Sequence, residues 1–234
     1  MNKVVYITGG SKGIGRSIAE AVLEEGYLVA ISGRSESIHE VAKELEAKFP
    51  EKILSVVSNV RNYTDEQSAI DQVIQKWGRV DVLIANAGVG HFAPIDEMTL
   101  EQWNDVIDIN LTGVFHSLKA SVEQLKANKG YFISIASLAG TNFFAKGTAY
   151  NASKYGLVGF TQAAMLDLRQ YEVKTTTIMP GSVATYFNGN IPSEKDDWKI
   201  QGEDLGQIVV DVLKMPARTL PSKIEVRPSF PHKK

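Results

Sequence analysis

Tyr150 and Lys154 stand four residues apart in Tyr150-Asn151-Ala152-Ser153-Lys154. In a helix that spacing puts both side chains on one face, a turn from each other. A phenol with its usual pKa of about 10 is a poor acid or base at neutral pH, and a nearby ammonium favours its phenolate. The pair is thus a candidate for moving a proton. The same spacing also describes an ordinary helix with a solvated lysine and a half-buried tyrosine, so the rest of the chain has to decide. Upstream, Ser134-Ile135-Ala136-Ser137 offers two hydroxyls, and Asn110 is a polar residue inside an otherwise helical pattern.

A second group of residues has the chemistry of a phosphate site. Thr8-Gly9-Gly10-Ser11-Lys12-Gly13-Ile14-Gly15 follows the apolar run Val4-Val5-Tyr6-Ile7 and opens an amphipathic stretch. Glycines let the backbone turn sharply and a pyrophosphate come close, while the free N–H groups of a helix start attract the anion. The spacing is Gly-x-x-x-Gly-x-Gly, not the commoner Gly-x-Gly-x-x-Gly, and a glycine-rich turn can be only a turn. Its place between a strand and a helix favours the phosphate reading.

The segment Ser32-Gly33-Arg34-Ser35 follows the second apolar run, and the first acid after it is Glu36. A carboxylate at that joint would bond a ribose 2′-hydroxyl and repel a 2′-phosphate. Arg34 and Lys12 instead offer cations to such a phosphate, which predicts NADP(H) in preference to NAD(H); the alternative is two solvated surface charges. Asn59-Val60 and Ala85-Asn86-Ala87-Gly88 end the third and fourth runs. Asn59 suits an adenine edge or a plain turn, and Asn86 either holds neighbouring backbone or touches the cofactor. Pro180-Gly181-Ser182-Val183-Ala184-Thr185 ends the sixth run as a loop able to cover a nicotinamide. His91 and Phe92 belong to the pocket mouth, with His91 outside the chemistry.

Short β-branched runs alternate with longer amphipathic stretches, the pattern of a doubly wound parallel α/β sheet with helices on both faces. Strands are expected near 3–8, 27–32, 52–57, 81–85, 130–135, 174–179 and 223–227. Helices are expected near 14–25, 36–48, 65–77, 100–127, 149–171 and 203–214. Every joint named above then falls at the C-terminal end of a strand, where open parallel sheets bind ligands.

No linker or repeat interrupts the pattern, so residues 1–234 read as one domain. With 44% hydrophobic residues the chain can build one large core, and a net charge of −2 gives no general drive toward nucleic acid or acidic membranes. There is no cysteine and hence no disulfide or thiolate site, and no metal site is expected. No apolar run nears the roughly 20 residues that span a bilayer. The N-terminus enters its first strand without a signal peptide's regions, and a cytoplasmic location is expected.

In these motifs, from Lys3 to about Thr185, the chain resembles the short-chain dehydrogenase/reductase family. The resemblance rests on the ordered set Thr8 to Gly15, Ala85 to Gly88, Asn110, Ser137, Tyr150 with Lys154, and Pro180-Gly181. It implies a single Rossmann-type domain of about seven strands and hydride transfer between a nicotinamide cofactor and a carbonyl or alcohol. Tyr150 is then implied as the general acid or base. Lys154 is implied to lower its pKa and to hold the nicotinamide ribose, and Ser137 to bond the substrate oxygen. The family spacing puts that serine 13 residues before the tyrosine, which selects Ser137 over Ser134. Asn110 is implied to hold a water that links Lys154 to solvent.

Three departures stand out. Asn59 replaces the usual Asp, Ala85 replaces the first Asn of Asn-Asn-Ala-Gly, and Lys223 to Pro228 lacks the usual glycine-rich ending, which leaves a homo-oligomer expected but its order, dimer or tetramer, open. The segment of about 186–202 is a short, largely polar substrate loop, so a small carbonyl or alcohol in an open, tolerant pocket is expected. The competing readings are a dedicated 3-oxoacyl thioester reductase and a non-catalytic dinucleotide sensor or scaffold on the same fold.

Overall fold

In the strand Val4–Thr8 (β1) every residue is buried, as a strand covered on both faces of a parallel sheet must be. Alternation sends Val5 and Ile7 to one core and Val4 and Tyr6 to the other. The computed structural model describes residues 2–230 and builds on this strand a sheet in the order β3-β2-β1-β4-β5-β6-β7. The other strands are Leu28–Gly33 (β2), Ile53–Val57 (β3), Val82–Ala85 (β4), Tyr131–Ile135 (β5), Lys174–Pro180 (β6) and Lys223–Val226 (β7). All adjacent pairs are parallel.

Helices Gly13–Glu24 (α1), Ser37–Lys48 (α2) and Gly202–Lys214 (α7) cover one face, burying residues such as Ile18, Leu45 and Val209. The other face is covered by Tyr63–Trp77 (α3), Gly113–Asn128 (α5) and Thr148–Leu168 (α6), through Ile70, Leu118 and Leu157. The result is a single Rossmann-like domain. Among the described residues, no helix is long and apolar enough to cross a membrane.

The strand order reverses between β1 and β4. Connections leave these neighbours toward opposite faces, so a crevice opens at their C-terminal ends, the general ligand site of such sheets.

The expected helix over 100–127 is in fact three pieces. Leu100–Ile107 (α4) starts on a capping box between Thr99 and Gln102, a π turn runs over Asp108–Thr112, and α5 follows. The reason lies in Asn110. It is fully buried, its Oδ1 accepts from the Val89 N–H at 2.8 Å, and its Nδ2 donates to the Val89 carbonyl at 2.9 Å and to the Ser153 hydroxyl at 3.1 Å. The wide turn carries this amide to the loop after β4, which an unbroken amphipathic pattern gives no reason to expect. Smaller differences are a 3-10 turn at Arg169–Tyr171 beyond α6 and the end of β7 at Val226.

Asn110→Ala should therefore destabilise the protein by about 1–3 kcal/mol, the cost of leaving buried backbone groups unpaired. Urea unfolding of the two proteins measures it; an unchanged midpoint would show that the π turn does not depend on this amide.

Candidate active site

The glycine turn is built by close approach. Between β1 and α1, Gly9 takes φ +67° and Gly13 φ +57°, conformations costly for side chains with a Cβ. The Thr8 hydroxyl accepts from the N–H groups of Asn86 and Ala87, both at 3.1 Å, and the Asn86 amide donates to the carbonyls of Thr8 and Gly9, both at 3.0 Å. Of its two possible roles, Asn86 therefore spends its amide on holding backbone. A Cβ on Gly15 would lie 2.4 Å from that amide nitrogen and from the Gly9 oxygen, so only glycine fits there. Lys12 stands at the helix N-cap without a side-chain capping bond, and the first turn of α1 carries no acid. The N–H groups of this helix start are thus left for an anion, which fits a pyrophosphate.

One cavity of about 740 Å³ runs along the C-terminal ends of the strands. The cofactor and catalytic candidates picked out in the sequence border it except Gly15 and Asn110, as does His91 but not Phe92. Ser11, Lys12 and Ile14 flank the glycine turn, and Ala87 and Gly88 form the wall after β4.

At one end lie Arg34, Asn59 and Val60. Arg34 is exposed, directly after β2. Glu36, the nearest acid in sequence, pairs instead with His39 Nε2 at 3.1 Å. Asn59 uses Oδ1 to accept the Arg61 N–H at 3.3 Å, as a turn residue does, while bordering the cavity.

The opposite end holds Ser137, Tyr150 and Lys154, with Pro180, Gly181, Val183 and Thr185 as a further wall. That wall is tied down: Gly181 N–H donates to the Val226 carbonyl at 2.8 Å and Val183 bridges to Ile200. Ser134, the other candidate serine, is fully buried and bonded to Thr161 at 2.9 Å, away from the cavity.

The ammonium of Lys154 donates to the Ile135 carbonyl at 3.1 Å and stands 5.7 Å from the centroid of the Tyr150 ring. Burial lowers its pKa from 10.5 to about 8. Tyr150 is pushed upward, chiefly by burial, while a hydrogen bond with Ser137 pulls it down. This corrects the expected lowering of Tyr150 by Lys154. In the site as folded, desolvation is the largest influence on Tyr150, and Ser137 is the group that favours the phenolate. The side-chain amide of Asn110 is bonded to Val89 and Ser153, and Ser153 in turn donates to the Tyr150 carbonyl at 2.8 Å.

Further residues gather around the cavity. Phe187 and Lys199 arrive from the segment after β6, with Lys199 paired to Asp196 at 2.6 Å. His91 borders the cavity and bonds Asp105 at 2.7 Å; Arg61 takes the other Asp105 oxygen. Phe92 packs edge-on against Tyr150 with centroids 5.5 Å apart. The sequence places His91 and Phe92 near the pocket mouth, but their partners Asp105 and Tyr150 are distant in sequence and only tertiary contact shows them.

Comparison with known proteins agrees with this geometry. Residues 3–196 match the family model described as short chain dehydrogenase. The chain is 30% identical over 233 residues, 97% of each protein, to an uncharacterized oxidoreductase of Staphylococcus saprophyticus. It is 34% identical over 197 residues to a 3-oxoacyl-(acyl-carrier-protein) reductase of Staphylococcus aureus, covering 83% of this chain and 80% of that one. Among solved structures, an alcohol dehydrogenase of the archaeon Thermococcus sibiricus, complexed with 5-hydroxy-NADP, superposes with TM-score 0.93 over 100% of both chains at 27% identity.

The buried lysine makes a stability prediction. A lysine whose folded pKa lies below its unfolded value penalises folding fully below the folded pKa, and the penalty fades as pH rises toward the unfolded one. For 10.5 lowered to about 8 that is about 3 kcal/mol. Lys154→Met should thus be more stable than the parent at pH 7 by up to about 3 kcal/mol, with the gap closing between pH 8 and 10.5. Urea unfolding across that range checks it; a difference independent of pH would mean the ammonium is not strained by burial.

Proposed function

The chain belongs to the short-chain dehydrogenase/reductase family of oxidoreductases, and from that premise we propose that it transfers a hydride between NADP(H) and a carbonyl or alcohol of a small molecule. The observation that carries this reading is the meeting of Ser137, Tyr150 and Lys154 at one end of a cavity that continues to the glycine turn.

When bound, the nicotinamide supplies or accepts the hydride. The chain's own residues do the rest. The turn from Gly9 to Gly13 would hold the pyrophosphate, Arg34 and Lys12 the 2′-phosphate, and Lys154 the nicotinamide ribose. In reduction, Tyr150 gives its proton to the carbonyl oxygen, and in oxidation it takes the proton back. The Ser137 hydroxyl, which in the folded site donates weakly to the Pro180 carbonyl at 3.4 Å, turns to donate to the same oxygen, where charge gathers. A buried ammonium beside Tyr150 compensates the phenolate left when the proton departs. Asn110 acts through position, holding the loop after β4 against α6.

A dedicated 3-oxoacyl thioester reductase is the narrower second reading, favoured by the likeness to the reductase of that name. A panel of ketones, aldehydes, sugars and acyl thioesters, followed by nicotinamide absorbance, separates the two.

Tyr150→Phe removes only the proton-transferring hydroxyl. Turnover should fall by about 10²–10⁴-fold, the usual contribution of a general acid–base group, with cofactor binding retained. Near-parental turnover in the folded variant would remove Tyr150 from the proton transfer, whereas cofactor binding without turnover of any substrate by the parent would support a non-catalytic dinucleotide sensor.

Cofactor choice depends on charge. A hydrogen bond to a charged group contributes about 1.5–3 kcal/mol, so one Arg34 contact should favour NADPH by roughly tenfold to a hundredfold in kcat/KM. Arg34→Glu should reverse the preference, by losing the planar fork and adding repulsion, and Arg34→Lys should keep part of it. Equal use of NADH and NADPH, unchanged in Arg34→Glu, would make Arg34 an ordinary surface charge.

A further inference from the structure

Three phenylalanines from three separate loops gather at Tyr150. Phe92 and Phe187 meet its ring at centroid distances of 5.5 and 5.7 Å, with planes inclined at 62° and 56°. Phe144 packs on Phe92 at 5.9 Å and 49°. The chain makes room for these rings. A Cβ on Gly90 would lie 2.8 Å from Phe187 Cζ and 2.9 Å from Phe92 Cζ, and one on Gly147 would lie 2.5 Å from Phe144 Cε2. Any larger residue at either position would push the rings apart. Yet the rings are not core: Phe92 remains 38% exposed and Phe144 48%. Apolar ring surface is thus kept beside the tyrosine that borders the cavity.

Two charged side chains near this wall are engaged: His91 is bonded to Asp105 and Lys199 is paired with Asp196. Of the amides that border the cavity here, Asn190 donates to the Phe187 carbonyl. A ring on the substrate would find edges and faces at the tilted geometry aromatic pairs prefer.

We propose that the substrate carries an aromatic ring joined by a short linker to its reacting carbonyl or carbinol carbon, and that Phe92, Phe144 and Phe187 form the subsite for that ring. The linker is short because the subsite touches the ring of Tyr150 itself. This rests on Tyr150 serving the carbonyl oxygen, and it replaces the open, unselective pocket expected from the polar segment 186–202, since two of the three rings come from other loops.

The test compares phenylacetone with its cyclohexyl analogue, 1-cyclohexylpropan-2-one. Neither carbonyl is conjugated, and rates are normalised to borohydride reduction. The expected preference for phenylacetone is about two- to tenfold in kcat/KM, the factor for the ~0.5–1.5 kcal/mol that an aromatic pair adds beyond buried area. In Phe92→Leu and Phe187→Leu, checked for fold by circular dichroism, the ratio should fall toward one.

Equal rates in the parent, preference for the cyclohexyl ketone, or an unchanged ratio in both variants would overturn the subsite. If neither ketone is turned over with NADPH or NADH, the proposed reaction fails for these substrates, and calorimetric titration of both ketones, with and without NADP⁺, still decides the subsite. Tighter binding of phenylacetone by the same factor supports it; equal binding or none overturns it.

Discussion

The strands β1 and β4 lie side by side, yet the chain leaves them toward opposite faces of the sheet. Holding their ends together while keeping a crevice open is the constraint from which the site follows. The Thr8 hydroxyl and the Asn86 amide meet it by bonding across the gap to four backbone groups. Because these two side chains are spent on backbone, the glycine turn is fixed in shape, and the start of α1 is aimed along the crevice. Gly15 is needed for the same reason, as a Cβ there would occupy the place of the Asn86 amide. Asn86, left in the sequence between a structural role and a cofactor contact, uses its amide to shape this surface.

At the other end the fold accepts a cost. Lys154 is almost wholly buried, and its charge is paid for in stability. Desolvation also holds Tyr150 upward, against the pull of Ser137. Groups disturbed in this way cluster where chemistry is done. A site that keeps a cation ready under a phenol cannot also be a minimum of folding energy, and the dense apolar packing of the two cores on either side of the sheet supplies the margin. Asn110 belongs to this end as well, through the π turn that lets one amide hold both the loop after β4 and the helix that carries Tyr150.

The cavity changes character along its length. Around Arg34 and Lys12 it is cationic; around Tyr150 aromatic rings dominate. The division follows the topology. The phosphate end is made by tight turns directly after β1 and β2, while the far end is made by longer segments after β4, β5 and β6, free to carry side chains in from a distance.

That difference also separates what could be read in the sequence from what could not. The strands and helices, the parallel sheet and the glycine turn were legible, because period, β-branching and turn residues are local properties. So were Tyr150 and Lys154, one helical turn apart, and Arg34 at its strand end. The tertiary structure alone decided that Asn86 and Asn110 bind backbone, that the long helix breaks into a π turn, that burial pushes Tyr150 upward, and that Phe92, Phe144 and Phe187 meet. Each depends on groups far apart in the chain and on exclusion of water, and neither distance nor desolvation is written in the order of residues.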